Sequence, residues 1–185
     1  MTELSDVDLV GWFLKGDRHA FTALVRRWEG FVLRVAARVT VDRNEAEEVR
    51  QAVFLRLLES PAAVRQPDRF AAWLHRTTVN EAISAVRRRT RRERLAAGLR
   101  ARSVAVETVK PCDVVVAADE AEQLSTALGR LEPDERSLLA LRFDEGLTFS
   151  EIAAALGEPA STIKTRTARL VARLRVMLDV DAPAG

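Results

Sequence analysis

Apolar residues recur along this chain at intervals of three and four rather than two, a spacing that predicts helices from end to end. Ser5 is placed to cap a first helix through Leu14. Asp17 caps a longer one, in which Phe21, Leu24, Val25, Trp28, Phe31, Val32 and Val35 repeat along one face. Asp42 or Asn44 opens a third, NEAEEVRQAVFLRLLES, with Val49, Val53 and Leu57 facing inward and Glu45, Glu48 and Arg56 elsewhere on its circumference. Ser60 to Arg69 holds Pro61 and Pro67 and reads as a loop, after which Asp68 caps a fourth helix beginning at Phe70. Trp73, Leu74, Ala82, Ile83 and Val86 form its core side, and then Arg87, Arg88, Arg89, Arg91, Arg92 and Arg94 follow too densely to be buried. Between Gly98 and Ala118 the periodicity fades and Pro111 interrupts it, as in a linker. The β-branched run Val114-Val115-Val116 is too short to define a sheet.

Periodicity resumes in a helix around Asp119 to Leu131, inward at Leu124, Ala127 and Leu128. Pro133 then occupies the first position of another, where its missing amide costs nothing. Leu138, Leu139 and Phe143 continue that helix, and Gly146 ends it. From Leu147 to Arg175 the chain has the grammar of a helix-turn-helix. Thr148 and Glu151 fit a capping box that starts a helix at Phe149, with Ile152, Ala153 and Leu156 on its apolar face. Gly157 stands where a left-handed residue would end it, and Pro159 prevents continuation. Ser161 caps a second helix, in which Ile163, Leu170, Leu174 and Met177 recur at helical spacing while Lys164, Arg166, Arg169, Arg173 and Arg175 carry the charge. No acid lies between Ser161 and Leu178. A solvated surface helix normally mixes both signs, so a wholly cationic face points to an anionic partner, duplex DNA. The fold class is therefore all-α, with two small helical domains joined by a flexible linker: residues 1–95, linker 96–118 and residues 119–180.

Composition refines this picture. The 185 residues are 48% hydrophobic, a globular balance. Aromatic residues concentrate in the first half, leaving Phe143 and Phe149 in the second, which suggests two separate cores. Domains this small bury only about 60% of their unfolded surface, so each should be marginal alone, and the second should draw rigidity from a partner or from DNA. Net charge is only +2, from 29 basic and 27 acidic residues. The pI of about 9.2 and the arginine clusters show that the signs are segregated. The lone Cys112 rules out an internal disulfide and a cysteine-cluster metal site. There is no apolar run of membrane-spanning length, and the polar, acidic start MTELSDVD is unlike a signal peptide, so a cytoplasmic protein is expected. His19 and His75 stand apart from each other and from Cys112, no glycine-rich phosphate loop occurs, and the paired acids Glu47 and Glu48 sit on an exposed helix face. No catalytic constellation and no cofactor motif results, so the chain is not read as an enzyme.

Four stretches occur together in a fixed order: Glu45-Ala46-Glu47-Glu48-Val49-Arg50-Gln51 with Phe54-Leu55, Phe70-Ala71-Ala72-Trp73-Leu74 with Asn80 and the arginine run, Leu131-Glu132-Pro133-Asp134-Glu135-Arg136, and the helix-turn-helix. In this order the chain resembles, over nearly its whole length, the extracytoplasmic-function group of bacterial sigma factors within the sigma-seventy superfamily. The resemblance implies a subunit that binds core RNA polymerase and directs it to promoter DNA. The first domain would dock the third helix on the clamp helices of the largest polymerase subunit through Glu45, Glu48 and Gln51, whose carboxylates and amide suit charge-assisted hydrogen bonds. Ala52 departs from the pattern, standing where an acid usually follows the glutamine, and implies weaker docking. The fourth helix would hold the melted minus-ten strand, with Arg76 and Asn80 on the base side and Arg87 and Arg88 on the backbone; Ser84 replaces a frequent aspartate there. The helix-turn-helix would read the minus-thirty-five duplex, with Ser161 and Thr162 at the entering end, Lys164, Thr165, Arg166 and Arg169 toward base edges, and Arg173 with Arg175 toward phosphates. The linker acids Glu107, Asp113 and Asp119 would thread toward the polymerase cleft. An anti-sigma partner commonly restrains such proteins. The alternatives are an autonomous helix-turn-helix regulator binding duplex DNA as a dimer, and a helical adaptor that engages proteins alone.

Overall fold

The computed structural model of the chain describes residues 4–64, 66–100, 124 and 126–181. The linker acids Glu107, Asp113 and Asp119, together with Pro111, Cys112 and Val114-Val115-Val116, lie outside the described residues. The first half is a four-helix arrangement: α1 (Asp6–Leu14), α2 (Arg18–Thr40), α3 (Arg43–Glu59) and α4 (Phe70–Arg100). Local chemistry sets each start. Ser5 and Asp8 form a reciprocal capping box, Asp17 accepts the amides of His19 and Ala20, and Asp42 accepts that of Glu45. α2 is the spine, burying Leu24, Val32, Val35 and Val39 against the other three helices.

The segment before α4 is more ordered than a loop. It makes two 3-10 turns, Pro61–Val64 and Pro67–Arg69, and the second runs directly into α4. Asp68 therefore sits inside a turn rather than at a helix cap, because Pro67 fixes a helical φ one residue earlier. α4 itself continues to Arg100, past the end of the arginine run.

In the second half, Thr126 to Gly129 are helical, followed by α5 (Pro133–Leu139), a π-helical turn (Ala140–Asp144), α6 (Phe149–Leu156) and α7 (Ala160–Asp181). Ala127 is buried and Leu128 packs against the core, whereas Leu124 is exposed. Phe143 also lies outside, 59% exposed, contrary to the helical spacing. Its reason is the π turn, in which the amide of Glu145 reaches the carbonyl of Ala140. One extra residue in that turn rotates everything after it by about 100° and sends Phe143 to solvent while bringing Asp144 and Glu145 toward α2.

The two halves do not keep separate cores. Buried apolar residues from Leu9 to Leu170 form one continuous cluster, into which the second half inserts Leu131, Leu138, Leu139, Leu141, Ile152 and Ile163. α5 and the π turn rest on α2, and α6 rests on α4. The second half thus buries part of its apolar surface against the first half of the same chain. No helix among the described residues is long and apolar enough to cross a membrane.

Polar contacts close the junction. Arg34 donates two hydrogen bonds of 2.8 Å to Glu145, and Arg38 donates two, of 2.8 and 3.0 Å, to Asp144. Deeper in, Arg136 is 5% exposed and donates from Nε to the carbonyl of Val39 at 2.9 Å and from Nη1 to that of Leu131. Arg89 of α4 donates to the neighbouring carbonyl of Thr40 at 3.1 Å. The final carbonyls of a helix have no partner inside it and carry its negative pole, so two guanidinium groups at the end of α2 satisfy both needs. Burial lowers the pKa of Arg136, and the nearby positive charge of Arg89 acts in the same direction.

Candidate nucleic-acid interface

The sequence before α7 fixes its approach. Thr148 and Glu151 exchange backbone and side-chain hydrogen bonds as a capping box, and Gly157 ends α6 at φ +72, a conformation that costs an L side chain strain. α7 begins at Ala160, with Ile163 donating its amide to the carbonyl of Pro159. Ser161 is therefore the second residue of the helix rather than its cap, and its carbonyl accepts the Thr165 hydroxyl at 3.0 Å. Proline fixes its own φ near the helical value, which allows the turn to enter α7 two residues earlier than a cap at Ser161 would.

Ile163, Thr167 and Leu170 are buried under α7, leaving Ser161, Thr162, Lys164, Thr165, Arg169, Arg173 and Arg175 exposed on the rest of its circumference. Arg166 is half-buried. Its Nη1 lies 2.6 Å from Oε1 of Glu158 in the turn. Arg173 is paired with Glu135 of α5, whose carboxyl remains below the usual range although burial pushes it up, because the Arg173 hydrogen bond and the Glu132 amide favour the charged form. Arg166, Arg169 and Arg173 line a groove of about 280 Å³ with Leu138, Leu170 and Glu135. The arrangement offers an exposed row of donors at the N-terminal end of a supported helix.

On α4 the exposed residues Arg76, Asn80, Arg87 and Arg88 do not share one face. At about 100° per residue, Arg76, Asn80, Arg87 and Arg94 fall on one stripe, whereas Arg88 lies about a third of a turn away. The second half sits along that stripe. A Cβ on Gly157 would stand 3.7 Å from Arg76 Nη1, and Glu132, Pro133 and Asp134 face Arg87, Arg91 and Arg94 across a groove of about 630 Å³.

On α3, Glu48 and Gln51 are exposed, but Glu45 is 9% exposed, with its carboxylate 2.9 Å from Arg89 and 3.9 Å from Arg92. Burial raises its pKa and Arg89 opposes the rise. Its inward orientation differs from the circumferential position expected, because α4 supplies a cation beside the end of α2. Leu55, which belongs to the motif stretch beside Phe54, and Leu58, which the sequence reading does not single out, are 53% and 52% exposed and extend the Glu48 and Gln51 stripe along the helix. They fall off the inward spacing of Val49, Val53 and Leu57, a signal already present in the periodicity. His75 is buried at the junction, its ring 4.6 Å from Phe31 and 5.7 Å from Trp28. Among the described residues no group of three or more His, Cys, Asp or Glu could hold a metal ion.

Comparison with known proteins gives two family matches. Residues 24–92 match Sigma-70 region 2, and residues 127–176 match Sigma-70, region 4. The ECF RNA polymerase sigma factor SigE of Mycolicibacterium smegmatis is 33% identical over 163 residues, 86% of this chain; the chain spans 63% of that relative's length. The ECF RNA polymerase sigma-E factor of Haemophilus influenzae is 31% identical over 183 residues, covering 90% of this chain and 92% of the relative. Among solved structures, CnrH in complex with the cytosolic domain of CnrY superposes with a TM-score of 0.69 at 26% identity, covering 96% of this chain and 99% of that one. These likenesses do not favour an autonomous two-fold regulator.

Proposed function

This chain belongs to the sigma-70 family, in its extracytoplasmic-function group, and from that premise we propose how its parts divide the work of starting transcription. The chain binds core RNA polymerase in the cytoplasm and directs it to promoters without chemistry of its own. Glu48 and Gln51 meet a basic helix of the polymerase, with Leu55 and Leu58 supplying apolar contact beside them. Glu45 contributes from inside by holding Arg89. On α4, Arg76 and Asn80 face the bases of the opened minus-ten strand while Arg87 and Arg88 hold its phosphates. On α7, Ser161 and Thr162 approach first, Lys164, Thr165, Arg166 and Arg169 read the minus-thirty-five edges, and Arg173 holds backbone.

The two promoter elements, about 25 base pairs apart by their names, are separated by about 85 Å at about 3.4 Å per pair. A globule of this length has a radius of gyration of only about 16 Å. The halves therefore part on the promoter, uncovering the α4 stripe that Gly157, Glu132 and Asp134 now border. An anti-sigma partner that favours the packed arrangement would hold the protein inactive; CnrH, of the same fold, was solved with the cytosolic domain of CnrY bound.

The observation that carries this reading is the cationic stretch of α7 from Ser161 to Leu178, which holds no acid of its own, joined to a region-2 bundle. Run-off transcription with purified core polymerase tests it. The chain should confer initiation at specific promoters that core alone ignores. Tight dimeric binding to a two-fold duplex site without any promoter-specific transcript would reverse the conclusion.

A further inference from the structure

Arg166 and Arg173 each hold a carboxylate from a neighbouring element, Glu158 and Glu135 respectively. The structure gives Lys164, Arg169 and Arg175 no acidic partner among the described residues. The cations of α7 thus fall into two classes, and the difference lies where they sit rather than in residue type.

The geometry points to Glu158 as a positioning residue that makes Arg166 a reader of one base pair rather than a general phosphate anchor. This rests on the reading of α7 as the helix that enters the duplex. Helical side chains lean toward the N-terminus, so Arg166, two turns into α7, reaches back toward the turn where Glu158 waits. One of its five donors, on Nη1, is held at 2.6 Å; Nη2 and Nε remain for a base edge. A guanidinium already fixed in orientation loses less rotamer freedom on pairing bidentately with guanine O6 and N7. The carboxylate also repels phosphates that would otherwise draw Arg166 away from the groove. Gly157, at φ +72, and Pro159 flank Glu158 in the turn, and the Glu158 amide donates to the carbonyl of Ala153 at 3.2 Å, which sets where its side chain leaves the backbone.

The test uses holoenzyme assembled from the full chain and core polymerase, and a pool of duplexes randomised across the upstream element. Wild type should enrich a defined sequence. Glu158→Gln should lose preference at one base pair, the same one lost by Arg166→Ala, and keep the others. Affinity for the selected element should fall about threefold, the size of effect expected from a partly exposed ion pair. Affinity for a scrambled duplex should rise, a sign that a merely structural role for Glu158 would not produce. Glu158→Asp should restore part of the preference, and Glu158→Gln combined with Arg166→Ala should discriminate no worse than Arg166→Ala alone. If Glu158→Gln enriches the wild-type sequence just as strongly while Arg166→Ala loses a position, Glu158 has no positioning role and the reading of α7 stands. If the wild-type chain assembles with core but the holoenzyme enriches nothing upstream, both fail.

Discussion

Replacing Arg136 by methionine should uncouple the two halves of the molecule. The side chain is 5% exposed, and its guanidinium donates to Val39 in α2 and to Leu131 in its own half. Hydrogen bonds from a charged donor contribute about 1.5–3 kcal/mol each, so the pair is worth about 3–6 kcal/mol before offsets. Methionine keeps most of the packing volume, and it also removes a buried charge that repels Arg89, so the net loss should be about 2–4 kcal/mol. Urea unfolding followed by two probes measures it. Trp12, Trp28 and Trp73 all lie in the first half, so fluorescence follows mainly that half, with Trp28 beside the junction, while far-UV circular dichroism follows helices in both. In wild type the shared core should make the two curves coincide. In Arg136→Met the dichroism midpoint should fall first and the curves separate. A shift below about 0.5 kcal/mol, with the curves still superimposed, would mean that apolar contacts alone hold the halves together and that capping of α2 by Arg136 contributes nothing.

Val41 ends α2 at φ 57, a left-handed conformation costly for a β-branched residue, and is 51% exposed, so Val41→Asn should stabilise by about 1 kcal/mol in thermal or urea unfolding. Burial lowers the pKa of His75 below its ordinary 6.5, with Glu151 and Glu145 opposing. The unfolded chain then binds the proton first, so the contribution of His75 is complete above 6.5 and is lost as pH falls from there through the lowered folded value. The carboxyls of Glu135 and Glu151, both lowered, lose their contributions only at more acid pH. Urea midpoints across that window should decline in wild type and flatten in His75→Gln; equal slopes would refute the assignment. Ala52→Glu adds an acid beside Gln51 and should tighten core polymerase binding about threefold in a competition assay, a change of the size of an exposed ion pair. Finally, the free chain should bind duplex promoter DNA weakly and holoenzyme strongly, because polymerase joins two modest contacts and raises the effective concentration of each. Equal affinities would contradict the bipartite reading.

What the sequence determined is what lies within one helical turn. The cap at Ser5, the capping box at Thr148, Pro133 at its helix start and the left-handed Gly157 involve residues at most four apart, and each is present as its spacing demands. The row of cations along α7 was legible for the same reason, since it depends on spacing within one helix, whereas the pairing of Arg173 with Glu135 was not. Tertiary structure decided which surface each apolar face meets. Leu138 and Ile152 read as the core of a second small domain, yet they complete the core of the first. Nothing in the spacing around Arg136 marks it for burial, yet it is buried, because a carbonyl 97 residues earlier at the end of α2 needs a donor. Glu45 turns inward because α4 brings Arg89 beside it, and Phe143 turns outward because the π turn shifts the helical phase. Periodicity specifies a face and its chemistry; the partner of that face is chosen by packing between segments distant in the chain, where neither spacing nor residue type carries the information.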